Sequence, residues 1–189
     1  MPKGSANERS KCRDWSLWWT EGKRDDIFWR TSGSGSRAKV RAKAGKTTAG
    51  SYGDIMAIDP IGEPLIEVCT IELKKGYSDE LDLLSLFDSR AKKHTIKKFL
   101  AQVRYDSNNA NNFPILEVHR DYKKPVLFID SLLCNEMEDY YGVFDYPVYM
   151  RLRFDTLGGF TVVRREVFFE WCGREFFTWF VARQLKLSN

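Results

Sequence analysis

Apolar and polar positions change rhythm several times along the chain, and each change predicts an element. Residues 5–20 are charged at first and close on Leu17, Trp18 and Trp19, which predicts a helix with one apolar end. Phe28 and Trp29 open a short apolar segment, followed by the polar run TSGSGSRAKVRAKAGKTTAGS over residues 31–51. That run holds Gly33, Gly35, Gly45 and Gly50 and no acidic residue, so it reads as a basic loop or irregular ribbon. Residues 52–58 and 65–74 are rich in Ile, Val and Thr and flank DPIGEP, which predicts two strands joined by a turn at Pro60, Gly62 and Pro64. In a hairpin symmetrical about Glu63, Asp54 lies opposite Glu72, and the strand period of two places Glu72 and Lys74 on one face.

Beyond Gly76, Ser78 with Asp79 and Glu80 reads as a helix start leading into LDLLSLF. Ile96, Phe99, Leu100 and Val103 recur at helical spacing, and DSNNANN is expected to end that helix. Strands are predicted over residues 113–119 and 125–130 about the turn DYKK, then over 146–154 and 160–169, followed by an aromatic helix ending near Leu185. Helix, sheet, helices and sheet in that order predict an α/β fold with helices around a mixed sheet.

The length of 189 residues suits one domain spanning 1–189, and a 43% hydrophobic composition supplies a core and excludes a chain disordered throughout. The most apolar stretch, residues 167–181, is interrupted by Glu170, Arg174 and Glu175, so no membrane span is expected. The N-terminal MPKGSANERSKCRD has no apolar run of the secretory kind, which predicts a cytoplasmic protein. Cys12, Cys69, Cys134 and Cys172 form no CxxC pair, so neither a zinc ribbon nor a disulfide framework is indicated. His94 and His119 have no second ligand type at metal spacing, which removes support for histidine-dependent hydrolases. Trp15, Trp18, Trp19 and Trp29 are assigned mostly to core packing, and the C-terminal aromatics from Phe168 to Phe180 to the core or a dimer interface.

Charge changes the picture more than composition does. Residues 1–50 hold twelve Lys/Arg and five Asp/Glu, a surplus of +7, whereas the rest of the chain, with 18 basic and 21 acidic residues, sums to −3. A polyanion-binding end on a near-neutral body follows. Arg37, Lys39, Arg41 and Lys43 alternate with Ala38, Val40 and Ala42, so an extended backbone projects all four cations to one side, as a phosphate backbone requires. Ser32 and Ser34 with the loop glycines add hydroxyl and main-chain contacts, and Arg30 adjoins them.

Asp54 and Glu72-Leu73-Lys74 carry the strongest chemical signal. Phosphodiester hydrolysis needs a hard cation, an activated water and a positive group near the developing charge. Two carboxylates anchor Mg²⁺, with Mn²⁺ as a substitute, and the Leu73 carbonyl offers a third oxygen.

YGDIMAIDP, the turn and VCTIELKKG resemble the PD-(D/E)XK nuclease superfamily, with an aspartate near the start of one strand and E-x-K at the end of another. Within it the chain is most similar to the Holliday-junction resolvase-like and phage-type branch, on Glu8 in GSANERSKC, the WRTSGSGSRAK stretch and the aspartate and E-x-K segments. The resemblance covers residues 4–130 and implies a restriction-endonuclease-like fold. It implies that Glu8 is an additional metal-site carboxylate, that Asp54 and Glu72 bind the metal, and that Lys74 positions or activates water. Gly53 stands where the superfamily name has proline, at a position taken as permissive. Gln102 and Tyr105 resemble the glutamine and tyrosine motif of helicase-associated members, but the tyrosine is one residue too close and the pair is given little weight. The expected function is therefore a metal-dependent DNA endonuclease, acting on branched DNA as a homodimer in a bacterial cytoplasm or, phage-encoded, in that of the host. The alternatives are a restriction, repair or genome-processing nuclease on linear or single-stranded DNA, and a non-catalytic DNA-binding module.

Overall fold

The computed structural model describes residues 3–31, 52–76, 94–143 and 149–187. The first predicted helix is α1, Lys3–Trp19. Its apolar end is buried as expected: Trp15 and Trp19 are enclosed, and Trp18 lies flat on Phe169 with ring centroids 4.8 Å apart. Trp29 is the exception at 43% exposed. It belongs to β1, Phe28–Arg30, which pairs antiparallel with β2, Ile55–Ala57, in a two-stranded ribbon.

The hairpin predicted across DPIGEP does not form. Pro60–Gly62 is a single 3₁₀ turn, begun by Asp59, whose carboxylate accepts the Ile61 N–H at 3.0 Å, and Glu63–Val68 is the helix α2. Pro60 and Pro64 each fall at the start of one of these helical pieces. Proline is tolerated there because its missing N–H would have had no intrahelical partner. The same residues that read as a hairpin turn are therefore helix starts. Gly62 is required by close approach, since a Cβ would stand 2.7 Å from the Ile27 and Phe28 side chains.

With the hairpin gone, β3, Cys69–Lys75, pairs instead in parallel with β4, Phe113–His119. Parallel neighbours need a crossover, and α3, Thr95–Ala110, lies within it. Ile96, Leu100 and Val103 are buried on one side of α3, as their spacing predicted. The helix runs into DSNNANN before stopping at Asn111, which takes a left-handed φ of 55° that asparagine tolerates. The helix expected to start at Ser78 lies outside the described residues.

β5, Val126–Asp130, joins β4 antiparallel, and β6, Met150–Phe154, with β7, Gly158–Arg164, completes a five-stranded mixed sheet in the order β3-β4-β5-β7-β6. Residues 146–148, the start of the strand predicted over 146–154, are not among those described. The strand predicted over 160–169 is shorter than expected. It ends at Arg164, and the chain turns into α5, Arg165–Trp171, and then the aromatic helix α6, Arg174–Leu187. Between β5 and β6 lies α4, Ser131–Tyr141, which the apolar pattern did not predict; Asp130 starts it by accepting the Leu132 N–H at 2.7 Å.

One face of the sheet carries Ile71, Ile115 and Ile129 against Trp15 of α1, Leu133 and Met137 of α4, and Phe168, Phe176 and Phe177 of α5 and α6. The other carries Leu116, Val118, Phe128 and Phe160 against α3. Cover on both faces explains why β4 is buried from Pro114 to Val118 without alternation. The architecture is the mixed sheet flanked by helices expected of a restriction-endonuclease-like fold. Among the described residues no helix is long and apolar enough to cross a membrane.

Candidate active site

β3 forms one edge of the sheet, and its alternation sends Glu72 and Lys74 toward α3 while Leu73 packs into the opposite core. Glu72 is only 3% exposed. Its Oε1 accepts hydrogen bonds from Lys74 Nζ and, at 2.7 Å, from Gln102 Nε2 on α3. The Lys74 ammonium also stands 5.2 Å above the Phe99 ring. Its position is thus held by a carboxylate and an aromatic face together.

Asp54 reaches the same strand from the ribbon, through its edge rather than through a hairpin ladder. Its N–H donates to the Ile71 carbonyl at 2.8 Å, and its Oδ2 accepts the Leu73 N–H at 2.8 Å. Asp54 therefore flanks Glu72 on the open side of β3. The N–H and carbonyl of one strand residue point the same way, so the Leu73 carbonyl opens on that edge as well. Gly53 makes the approach possible: its φ is +77°, and a Cβ there would meet the Ile71 carbonyl at 2.6 Å. The position is consequently restrictive rather than permissive, and proline, fixed near φ −65°, cannot occupy it.

Glu8 comes from α1. Its Oε2 lies 3.6 Å from Arg30 Nη1, which places one of the expected DNA-contacting cations beside it. Burial, and after it the charge of Asp54, raises the Glu8 carboxyl above its ordinary range. Among the described residues, however, no three His, Cys, Asp or Glu side chains form a group able to hold a metal, so Glu8 does not complete a three-carboxylate cage with Asp54 and Glu72. The pair still fits a hard cation: Mg²⁺ is commonly held by one or two carboxylates with several waters, and Glu72 Oε2 has no hydrogen bond among the described residues. Ser32, Ser34, Arg37, Lys39, Arg41 and Lys43 lie outside those residues.

Gln102 is the site residue that the sequence undervalued. Its partner in the proposed motif, Tyr105, is 57% exposed and turned away. The better signal is the spacing from Phe99, which puts Phe99 and Gln102 on one face of α3, the face that meets Lys74 and Glu72.

Burial raises the Glu72 carboxyl from 4.5 to about 7, and the negative charge of Asp54 adds to the effect, while Lys74 opposes it. Between those values the folded chain keeps a proton that the unfolded chain releases, so without a cation this group makes stability fall as pH rises through the interval. At about 1.4 kcal/mol per unit the loss is somewhat above 3 kcal/mol over the whole interval, of which about 2–3 kcal/mol falls between pH 5 and pH 8. The chelator-treated protein is expected to melt about 4–12 °C lower at pH 8 than near pH 5 on account of this carboxyl. Glu72→Gln should abolish that contribution, and an unchanged pH dependence in thermal melts of the variant would refute the assignment.

Two carboxylates, a lysine and a glutamine thus meet at the edge of a mixed sheet with helices on both faces. No curated protein and no solved structure matches the chain. A family model does match, over residues 2–168, a span that takes in Glu8, the ribbon, β3 and every strand of the sheet. By that match the chain belongs to the family described as phage putative PDDEXK endonucleases.

Proposed function

We propose that this nuclease cuts DNA with Mg²⁺ held at Asp54 and Glu72, and that branched DNA is its preferred substrate. The observation that carries the reading is the buried Glu72, held by Lys74 and Gln102 on the strand edge flanked by Asp54. A carboxylate taken out of water beside another carboxylate is costly for a fold and useful to a cation site. When bound, the cation supplies neutralisation of the phosphate charge and a more acidic water.

The residues divide the remaining work. Asp54 and Glu72 hold the cation, with the Leu73 carbonyl as a third oxygen. Gln102 and Lys74 fix Glu72 Oε1 and leave Oε2 for the metal. Lys74, steadied by Phe99, presents its ammonium where water is positioned and negative charge develops. Glu8, outside that pair, acts on the cation's waters. Arg30 and the basic run through Ser32, Ser34, Arg37, Lys39, Arg41 and Lys43 hold the DNA backbone. A homodimer places two such sites about a two-fold axis, as paired cuts in a four-way junction require.

The deciding experiment compares cleavage of a four-way junction, linear duplex and single strand of matched sequence with Mg²⁺, Mn²⁺, Ca²⁺ or chelator. Paired, symmetrical nicks in the junction with Mg²⁺ are expected, and binding with poor cleavage in Ca²⁺, whose looser coordination misplaces the attacking water. Equal competition by linear duplex with cuts at one fixed sequence would replace the junction reading by a restriction-like one. Hydrolysis in chelator would remove the metal. Replacing Arg37, Lys39, Arg41 and Lys43 together by Gln should weaken binding to all sequences alike and lower the slope of affinity against salt by roughly 3–4. An unchanged slope would take these four residues out of the interface.

A further inference from the structure

We infer that the β4–β5 turn is a second DNA-contacting element, in which Tyr122 stacks on an unpaired base while Arg120 and Lys123 hold the adjoining phosphates. The inference rests on the DNA-cleaving reading of the Glu72 site and names what lies beside it.

The turn closes with the Lys123 N–H donating to the Arg120 carbonyl at 3.2 Å, which puts Tyr122 third in the turn, at φ 59°. A left-handed third position is the place of glycine or asparagine. A bulky aromatic there is an outlier, and such outliers gather at functional sites. Nothing among the described residues compensates for it. Tyr122 is 104% exposed and, among the described residues, has neither a hydrogen bond nor a ring contact. Arg120, Lys123 and Lys75 likewise have no carboxylate partner among the described residues, whereas Lys124 and Arg164 share Glu166. Asp121 is the one acid within the turn. A strained backbone, a fully exposed ring and two cations without a carboxylate partner fall within the four residues from Arg120 to Lys123 and contribute nothing to the core.

Register ties this stretch to the site. Glu72 pairs with Leu116, Lys74 with Val118 and Lys75 with His119, the residue immediately before the turn. At about 3.3 Å per strand residue the turn begins roughly 13 Å beyond the Glu72 row. A DNA strand advances about 3.4 Å per nucleotide along its axis, so a substrate cut at Glu72 passes the turn about four nucleotides away. An aromatic ring can stack on any base whose face is open, without reading sequence. Duplex DNA hides those faces, and a branch point or single strand exposes them.

The experiment measures binding of the full chain, in Ca²⁺, to a labelled junction carrying an unpaired fluorescent adenine analogue at the branch and to a matched duplex. Wild-type protein should quench the analogue on binding. Tyr122→Ala should abolish the quench and weaken junction binding about 5- to 50-fold relative to duplex. Tyr122→Phe, which keeps the ring, should restore both. The paired change Arg120→Gln and Lys123→Gln should lower the salt slope by about 1.8 on either DNA. Thermal melts of the Tyr122 variants, at a fully exposed side chain, verify folding. A Tyr122→Ala protein with wild-type quench and wild-type junction-to-duplex ratio overturns the inference. If the wild type shows the quench yet cleaves no DNA with Mg²⁺, the nuclease reading of Glu72 fails and the turn stands. If it cleaves and Tyr122→Ala matches it, the turn fails alone.

Discussion

Glu72→Gln is expected to lower DNA cleavage by about 10³-fold, the scale of losing one preorganised electrostatic contact to a transition state, while leaving the fold as stable as before or more so. The second half of that expectation follows from burial. Glu72 is 3% exposed and burial pushes its carboxyl up to about 7, so at pH 8 the charged form is held against its solvation preference. A neutral amide of the same shape removes that cost, keeps an oxygen for Lys74 and Gln102, and removes the metal's anchor. Asp54→Asn should lose cleavage on the same scale, but without the stability gain, since Asp54 Oδ2 is an acceptor for the Leu73 N–H on the strand edge. Lys74→Ala should differ again: cleavage falls and stability at pH 8 falls with it, because the Glu72 charge loses the cation paired with it. Single-turnover cleavage and melting curves on the three variants at pH 8 separate these cases. Near-wild-type turnover in any two of them would refute the site.

The largest stability effect belongs elsewhere, at Glu117. This β4 residue is 1% exposed and points away from Glu72, into the core under α1. Its Oε2 accepts the Trp15 indole N–H at 2.8 Å, its Oε1 accepts from Arg165 Nη1 at 3.1 Å, and Lys11 Nζ lies 3.9 Å away. Asp14 completes the group through Arg165, at 2.8 Å, and Lys11, at 3.2 Å. One carboxylate therefore ties α1, β4 and α5 together. Glu117→Ala leaves the Trp15 indole N–H without its acceptor and the buried Lys11 ammonium and half-buried Arg165 guanidinium with Asp14 alone, which costs about 3–5 kcal/mol. For a chain of this size that is a fall of roughly 6–20 °C in Tm. Glu117→Leu combined with Arg165→Met and Lys11→Met, which removes the enclosed charges and leaves the partly exposed Asp14, should recover most of the loss. Equal destabilisation in the single and triple variants would show that packing, not charge pairing, holds this corner.

Short-range pattern was enough for the elements whose partners are their own neighbours in sequence. The spacing of Ile96, Leu100 and Val103 decides α3, the block FPILEVH decides β4, and the turn DYKK decides its antiparallel pairing with β5. The period of two on β3 likewise settles that Glu72 and Lys74 share a face, because that depends on backbone geometry alone. Aromatic content at both ends of the chain predicts a core, and Trp15, Trp19, Phe168, Phe176 and Phe177 form one.

Where the pattern failed, two structures were locally equivalent and a distant contact chose between them. Pro60, Gly62 and Pro64 suit a hairpin turn and a pair of helix starts equally well. The fold chooses helix because β3 finds its partner in β4, some forty residues on, and α2 is packed against α6. The strand read through to Phe169 ends at Arg164 because Arg165 is drawn into the charge network with Asp14 and Glu117, and Phe168 into the core with Trp15. Asp54, Glu72 and Lys74 could be named from the chain as a motif. That Asp54 meets β3 by two edge hydrogen bonds, that only glycine can precede it, and that Gln102 from α3 holds Glu72 are products of three segments brought together, which no local periodicity encodes.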